Sequence, residues 1–510
     1  MFVRKKKNKS GSVSVQIIDK SDGYRVFQTV GASEDQDKIN LLVQKARRII
    51  QTCGGKQGEL FSFQTAEETA VKRFLGQLSN QQVRVVGPEL VFGTLFDRLG
   101  FGSIPEELFR HIVIARLAHP VSKLKTIDYL YRYQGITVKA DSIYRFLDRL
   151  NDTHKEAVER LAFEYSRGVL GHISVVFYDM TTLYFEAEDE DDLRKVGFSK
   201  DGKFQHPQIM LGLLVGEQGY PIGYDIFEGN VFEGHTLLPT LDKIRRKYGI
   251  GQPVVVADAG LLSRDNLKLL AAEGYSFILG ARIKNESDAS KTKILERAKR
   301  IKDQQGFDLQ RVDGNRLIVT YSEQRRKKDA YGRDRGLVRL RQKIKSGTLS
   351  KEHINNRGYN KFLTLQGRIE VSIDEVKVNQ DSLWDGLKGY ITNTDLSIEK
   401  VVENYRQLWR IEKAFRISKT DLRIRPVYHY RRKRIEAHIC IAFVAYTIYK
   451  ELERLLEQGQ AGFSPKRAAE LTHTMYALDH QSLSSLGAER IILKMDPEQQ
   501  VLYNIIKQRD

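Results

Sequence analysis

The chain has 510 residues, more than one hydrophobic core usually serves, so several structural units are expected. Hydrophobic residues make up 41% and aromatics 9%, which suits a packed interior and argues against wholesale disorder. Lys and Arg number 83 against 65 acidic residues, a net charge of +18 that favours a polyanionic partner, nucleic acid being the commonest.

The opening Met1–Lys7 is basic and lacks the apolar run of a signal peptide. Residues 12–31 alternate in strand fashion around Ser21-Asp22-Gly23, a hairpin signal, and Asp37–Thr52 has helical spacing. The two cysteines, Cys53 and Cys440, are far apart and neither sits in a Cys-x-x-Cys pair. That argues against a disulfide scaffold or a zinc-thiolate site and suits a reducing cytoplasm. No repeat at a fixed period is evident.

Residues 104–150 predict three short helices, Ile104–His119, Ser122–Tyr133 and Ala140–Leu150, broken at His119-Pro120 and Gln134-Gly135. Asp141 or Ser142 is placed to cap the third, which carries Arg145 and Arg149. A helix-turn-helix module would have this pattern, and so would any small helical bundle.

From Gly171 the pattern changes. Ile173–Asp179, Gln208–Val215 and Pro221–Phe227 read as strands, Thr236–Tyr248 as an amphipathic helix capped by Thr236, Pro253–Asp258 as a strand, Ser263–Ala272 as a helix, and Tyr275–Arg282 as a strand. The order β-β-β-α-β-α-β predicts an α/β fold with a mixed sheet and helices on its faces. Residues 285–375 are polar and irregular, with strand-like pieces at Arg316–Tyr321, Phe362–Leu365 and Ile369–Ile373. Arg325–Lys345 holds ten Lys or Arg and two Asp, read either as a solvated basic helix or, favoured here, as a clamp on backbone phosphates. Gly389–Thr392 reads as a strand, and Ser397–Lys419 as one long helix capped by Asp395 or Ser397. Arg423–Arg434 is another basic cluster, and Ile435–Leu455 a buried helix. Its apolar stretch is too short for a membrane span, which needs about 20 residues. Residues 456–510 are weakly helical.

Three acids carry the chemical reading. Asp179 and Asp258 each close an apolar strand, where open α/β sheets place ligands. A carboxylate there costs desolvation unless a cation compensates, and magnesium takes a few carboxylates plus water and phosphate oxygens. Taken singly, an acid after a strand is more often a turn cap. Tyr405, Glu412 and Lys419 follow at steps of seven, close to two helical turns, and so share a stripe with Leu408, Trp409 and Phe415 nearby. A core face with snorkelling charges is the bland alternative; a ligand on a buried edge fits Glu412 better. His206 and His235 lie near the sheet edge and read as structural.

Tyr405-Arg406-Gln407-Leu408-Trp409-Arg410-Ile411-Glu412, followed by Lys419, resembles the Y-x2-R-x3-E-x6-K signature of the insertion-sequence-four-like DDE transposases of bacteria and archaea. Asp-Met-Thr-Thr at 179–182, Ala-Asp-Ala-Gly-Leu-Leu-Ser at 257–263 and Gly-Tyr-Ile-Thr-Asn at 389–393 fit the same pattern. The resemblance spans about residues 1–455. It implies an RNase H-like mixed sheet flanked by helices, with a strand-rich insertion and an N-terminal hairpin-plus-helical region. The expected units are residues 1–80 (hairpin and helix), 81–165 (helical, DNA-end-binding), 166–284 (first part of the catalytic core), 285–380 (basic insertion), 381–455 (second part, with the Glu helix) and 456–510 (helical). The signature's Arg falls on Leu408, with Arg406 and Arg410 flanking it and Arg416 one turn beyond Glu412.

The resemblance implies cleavage at the ends of an insertion sequence and strand transfer into target DNA. Asp179, Asp258 and Glu412 would be the catalytic metal ligands. Two magnesium ions, manganese able to substitute, would sit about 3.5–4 Å apart, with Asp179 bridging them. Tyr405, Arg406, Arg410, Arg416 and Lys419 would contact DNA, as would Arg325, Arg326, Lys327 and Lys328 of the insertion. The partners implied are double-stranded DNA, as terminal inverted repeats and target, and a second copy of the chain across paired ends. No membrane partner is expected, and the location is the cytoplasm of a prokaryote, at the nucleoid. The rivals are a nuclease or resolvase on this fold that cuts without joining, a DNA-binding derivative without catalysis, and an RNA-binding protein.

Overall fold

Alternation of apolar residues builds the first element pair. In the computed structural model, which describes all residues except 22, 54–70, 73–74, 77, 201, 262–263, 350, 356–357, 367–369, 482–487 and 509–510, the chain divides into two units, Met1–Leu78 and Ser79–Asp510. In the first, β2 (Val13–Asp19) and β3 (Arg25–Ser33) form the expected hairpin, and β1 (Phe2–Lys7) pairs antiparallel with β2 to complete a three-stranded sheet. The run Arg4–Lys7 hid β1, because a strand without apolar alternation gives no period-two signal. Helix α1 (Gln36–Cys53) covers one face of the sheet through Val15, Ile17, Ile39 and Ala46.

The second unit opens with β4 (Val83–Val85), then helices α2 (Glu107–Ala118), α3 (Lys123–Tyr129), α4 (Ala140–Arg149) and α5 (Lys155–Leu170). Ser122 caps α3 by accepting from the Lys125 N–H at 3.3 Å. Neither Asp141 nor Ser142 caps α4. The helix starts at Ala140, so both already lie in its first turn, and Lys139 holds the cap position without a side-chain bond.

The expected β-β-β-α-β-α-β order follows: β5 (Val175–Tyr184), β6 (Gln208–Gly216), β7 (Pro221–Glu228), α6 (Leu237–Tyr248), β8 (Val254–Ala257), α7 (Arg264–Ala272) and β9 (Phe277–Ala281). Next come α8 (Asp288–Ala298), β10 (Gly306–Gln310), β11 (Arg316–Tyr321), α9 (Glu323–Lys345), β12 (Leu363–Gln366), β13 (Glu370–Ile373), α10 (Glu375–Ser382) and β14 (Leu387–Thr392). The central sheet has eight strands in the order β10-β11-β14-β9-β8-β5-β6-β7. Only β5–β8 and β8–β9 pair in parallel. Arg316–Tyr321, read from sequence as an insertion strand, therefore belongs to the main sheet, antiparallel to β14. The segment between them, α9 to α10, has its own small core of Leu337, Leu340, Phe362, Leu363, Val371 and Val378.

Period-two alternation sorts β5 between two layers. Val175, Phe177 and Leu183 face a core shared with the α2–α5 region, while Val176, Tyr178 and Met180 face a core shared with α6 and α7. The chain continues with α11 (Ile398–Arg406), α12 (Trp409–Arg416), α13 (Arg432–Gln458), α14 (Pro465–Thr472), β15 (Tyr476–Gln481), β16 (Ala488–Ile492) and α15 (Pro497–Lys507). The mostly buried α13 is the spine of the first core. Residues 456–510 hold two strands as well as helices, and β15 returns to pair with β4. Among the described residues no helix is long and apolar enough to cross a membrane.

Candidate active site

Asp179 does not close its strand, as the sequence suggested; β5 runs on to Tyr184. What ends there is the parallel ladder. β5 pairs with β8 from Val175↔Val254 to Tyr178↔Ala257, whereas its second half, from Asp179↔Leu213 to Tyr184↔Gln208, pairs only with β6. Asp179 and Asp258 thus follow the last matched pair of two adjacent parallel strands, at the edge where the two part.

Loops the sequence left unassigned complete this edge. The Lys200 ammonium donates to the Met180 carbonyl at 2.7 Å and lies 2.8 Å from Glu233 Oε1 and 3.7 Å from Asp179 Oδ1. Glu233 sits before α6, where Thr236 Oγ1 donates to the Glu233 carbonyl at 2.6 Å and accepts from Tyr178 Oη at 3.0 Å. Thr236 therefore anchors the Glu233 turn to β5 instead of capping α6 with its side chain. Asn266 Nδ2 donates to the carbonyls of Gly234 and Leu261, at 2.6 and 2.8 Å, tying the Glu233 turn to the loop after Asp258. Burial pushes the Asp179 carboxyl up to about 6; Lys200 and the Met180 N–H pull it down, while Glu233 and Asp258 push it up further. The available sequence signal was glycine. A Cβ on Gly197 would lie 2.3 Å from the Gly229 carbonyl, so the loops leading to Lys200 and Glu233 pack backbone to backbone.

The expected single helix over 397–419 is broken. Its ladder is interrupted by i→i+3 bonds, Gln407 to Asn404, Leu408 to Tyr405, Arg410 to Gln407 and Ile411 to Leu408, which separate α11 from α12. Lys419 lies beyond both, in a π turn over Ile417–Asp421. Ser397 caps α11, accepting from the Lys400 N–H at 3.3 Å. The Tyr405 hydroxyl donates to Asp258 Oδ1 at 3.0 Å, and burial, then the Asp258 charge, hold its pKa high. Gly280 on β9 makes room for it: a Cβ there would lie 2.5 Å from Tyr405 Oη. Glu412 is exposed on α12, which packs against β5; it is not on a buried edge. It lies close enough to Tyr405 and Lys388 to act on both electrostatically, as Asp258 does. The Lys388 ammonium stands 4.3 Å above the Tyr405 ring.

A cleft of 390 Å³ opens beside Asp258 and Tyr405, rimmed by Arg282, Lys284, Arg325 and Lys388. Arg325 reaches it from the start of α9. Arg326 turns instead to Glu323, at 2.6 Å, and Lys327 and Lys328 are exposed outside the cleft lining. Arg406 bonds Gln304 at 2.9 Å near the cleft. Arg410 bonds Gln407 at 3.2 Å and lines a separate cavity with Trp409 and Lys413, while Arg416 is exposed. His206 lies beside Tyr184 and His235 beside Phe232.

The donor set favours a cation at this edge. Glu233 and Asp258 both act electrostatically on the Asp179 carboxylate, and the Lys200 ammonium sits between Asp179 and Glu233. Asp179 and Asp258 are suited to hold an oxygen-liganded ion. Among the described residues, however, no three His, Cys, Asp or Glu side chains are assembled as a metal-holding group, so Glu412 would have to approach.

Residues 171–448 match the family model described as transposase DDE domain. No match to a curated protein was found. Among solved structures, a piggyBac transposase synaptic complex with hairpin DNA shares 10% identity over 76% of each chain, with a TM-score of 0.39. A Drosophila P element transposase strand transfer complex shares 13% over 79% of this chain and 90% of that one, with a TM-score of 0.20. A Mos1 transposase paired-end complex with the left transposon end shares 10% over 46% and 66%, with a TM-score of 0.16.

Proposed function

The chain belongs to the transposase DDE-domain family, and on that premise we propose that it cuts DNA at the ends of an insertion sequence and joins the freed 3′ ends to target DNA. Its catalytic carboxylates are Asp179, Asp258 and Glu412, on a sheet we read as RNase H-like. The observation that carries this reading is the 3.0 Å hydrogen bond from Tyr405 to Asp258, which brings the Tyr405–Glu412 segment to the aspartate at the end of the parallel strands.

A divalent cation, magnesium or manganese, held by Asp179 and Asp258 and completed by Glu412, would supply charge neutralisation at the phosphorus and activation of the attacking oxygen. The chain's own groups do the rest. Tyr405 fixes one oxygen of Asp258, which lines the cleft. Lys200 balances the charge of Asp179 and Glu233. Arg282, Lys284, Arg325 and Lys388 offer the cleft rim to backbone phosphates, with Arg406 beside them. Arg410, Arg416, Lys419, Arg326, Lys327 and Lys328 extend the DNA contact outside the cleft. The active species is a homodimer on paired ends, in a prokaryotic cytoplasm at the nucleoid.

The test is a strand-transfer assay with duplexes carrying the terminal inverted repeats that bound the gene. The expected result is magnesium-dependent 3′-end cleavage and joined product, both lost in Asp258→Asn. Cutting without joining for every end sequence would make the chain a nuclease; no cutting would make it an inactive derivative.

A further inference from the structure

The edge where β5 and β8 part already holds a cation of its own, the Lys200 ammonium. It meets oxygens from three sources: the Met180 carbonyl at 2.7 Å, Glu233 Oε1 at 2.8 Å and Asp179 Oδ1 at 3.7 Å. Carboxylate and carbonyl oxygens are also what a hard divalent cation takes. The surrounding backbone keeps the lysine in place. The Lys200 N–H donates to Thr182 Oγ1 on β5 at 3.3 Å. The buried Gln208 donates from Nε2 to the Phe198 carbonyl at 3.0 Å and the Gly229 carbonyl at 2.9 Å. That side chain joins the loop before Lys200 to the turn after β7 that leads to Glu233. Glu233 is held from its other side as well: a Cβ on Gly260 would lie 3.3 Å from Glu233 Oε2, so this carboxylate packs against the loop after Asp258. Asp179 Oδ1 also accepts the Met180 N–H at 2.7 Å, which orients the carboxylate beside the ammonium. All three side chains are partly buried, where charges are screened less than at an open surface.

We propose that Lys200 is a resident counter-ion that a divalent cation must push away from Asp179, so that this lysine sets how tightly the edge takes metal. The inference rests on the proposed function, which puts the ion on Asp179. An ion about 2.0–2.1 Å from an Asp179 oxygen would stand within the roughly 8 Å screening length of the ammonium, and the two cations repel. Glu233, already the nearer of the two carboxylates to Lys200, gives the displaced ammonium a partner. In the free protein the lysine offsets the carboxylate charge of the edge and opposes metal loading. A lysine that only braced the loops would act in the opposite sense, because its loss would loosen Asp179 and weaken the hold on metal.

The test measures the manganese affinity of the full chain without DNA, from the electron paramagnetic resonance signal of the free ion, so it reads binding and not cleavage. Lys200→Met removes the charge and keeps the length, Lys200→Gln removes the charge and keeps a donor for the Met180 carbonyl, and Lys200→Arg keeps the charge. The two neutral variants should bind manganese about tenfold or more tightly than wild type, and Lys200→Arg within about threefold of wild type. Unchanged or weaker binding in the neutral variants would overturn the proposal, as would a gain in Lys200→Arg equal to theirs. Asp258→Asn separates this outcome from the catalytic reading. If Asp258→Asn loses manganese while the neutral lysine variants bind it like wild type, the edge holds metal and the role of Lys200 alone fails. If Asp258→Asn binds manganese as wild type does, the metal edge falls and the role of Lys200 with it.

Discussion

Tyr405 and Gly280 make a lock that single substitutions can open. Tyr405→Phe removes one hydrogen bond to a carboxylate, worth roughly 1.5–3 kcal/mol. Cleavage should fall about ten- to a hundredfold and the melting temperature by a few degrees, as end-cleavage kinetics and calorimetry would show. Gly280→Ala should cost at least as much activity and also stability, because its methyl group would meet Tyr405 Oη at 2.5 Å and the Ala259 backbone nitrogen at 3.0 Å. A Gly280→Ala enzyme with wild-type cleavage would show that Tyr405 does not hold Asp258. At this scale the sequence exposed the acids but not their neighbours. Asp179 and Asp258 stand out because a polar residue interrupts an apolar run. Lys200 and Glu233 lie in polar loops, where a charged residue carries no signal until the loops fold back onto the edge.

The elements show why a periodic pattern can be right about residues and wrong about their frame. Steps of seven placed Tyr405, Glu412 and Lys419 on one stripe, but the break at Gln407–Leu408 gives each its own direction: Tyr405 inward to Asp258, Glu412 outward on α12, Lys419 in the terminal turn. The same break explains Leu408 at the signature's Arg position. Leu408 is buried in the main core, near Ile411 and Phe415 in the chain. Leu408→Arg should therefore not restore a phosphate contact. It should destabilise the fold by about 3 kcal/mol or more, the cost of burying an unpaired charge, measurable by urea unfolding. Unchanged stability with tighter DNA binding would contradict this placement. The central β-β-β-α-β-α-β order was legible because its strands are apolar runs bounded by turns. β1 and the membership of β11 in the main sheet were not, since basic or isolated strands declare neither pairing nor partner.

Across the whole second unit, the helical region is fastened to the segment after Lys419 by buried bases. Arg116 donates to the Leu422 and Arg423 carbonyls at 3.2 and 3.0 Å, and His438 Nε2 lies 2.9 Å from the Ile424 carbonyl. Burial, then Lys123 and Arg116, lower the His429 pKa to about 3, with Arg434 adding to the effect. Burial lowers His438 well below its usual value, and Lys123, Arg116 and His429 add to it. Both histidines are neutral when folded and protonate when unfolded. Their contribution is intact above the unfolded pKa of 6.5 and is lost as pH falls toward the depressed folded values, at about 1.4 kcal/mol per pH unit for each. Urea unfolding should show stability dropping between pH 6.5 and about 5, above the range where most carboxylates titrate, with a shallower drop in His429→Asn. A flat profile would mean that these rings are solvated.

On the proposed function, Asp179 and Asp258 hold a divalent cation that Glu412 completes when DNA binds. Anomalous diffraction from crystals of the protein with its DNA end and manganese tests it most directly. Manganese peaks are expected between Asp179 and Asp258, with the Glu412 carboxylate turned toward them. Manganese bound elsewhere, or absent from this edge while the DNA end occupies the cleft, would contradict it.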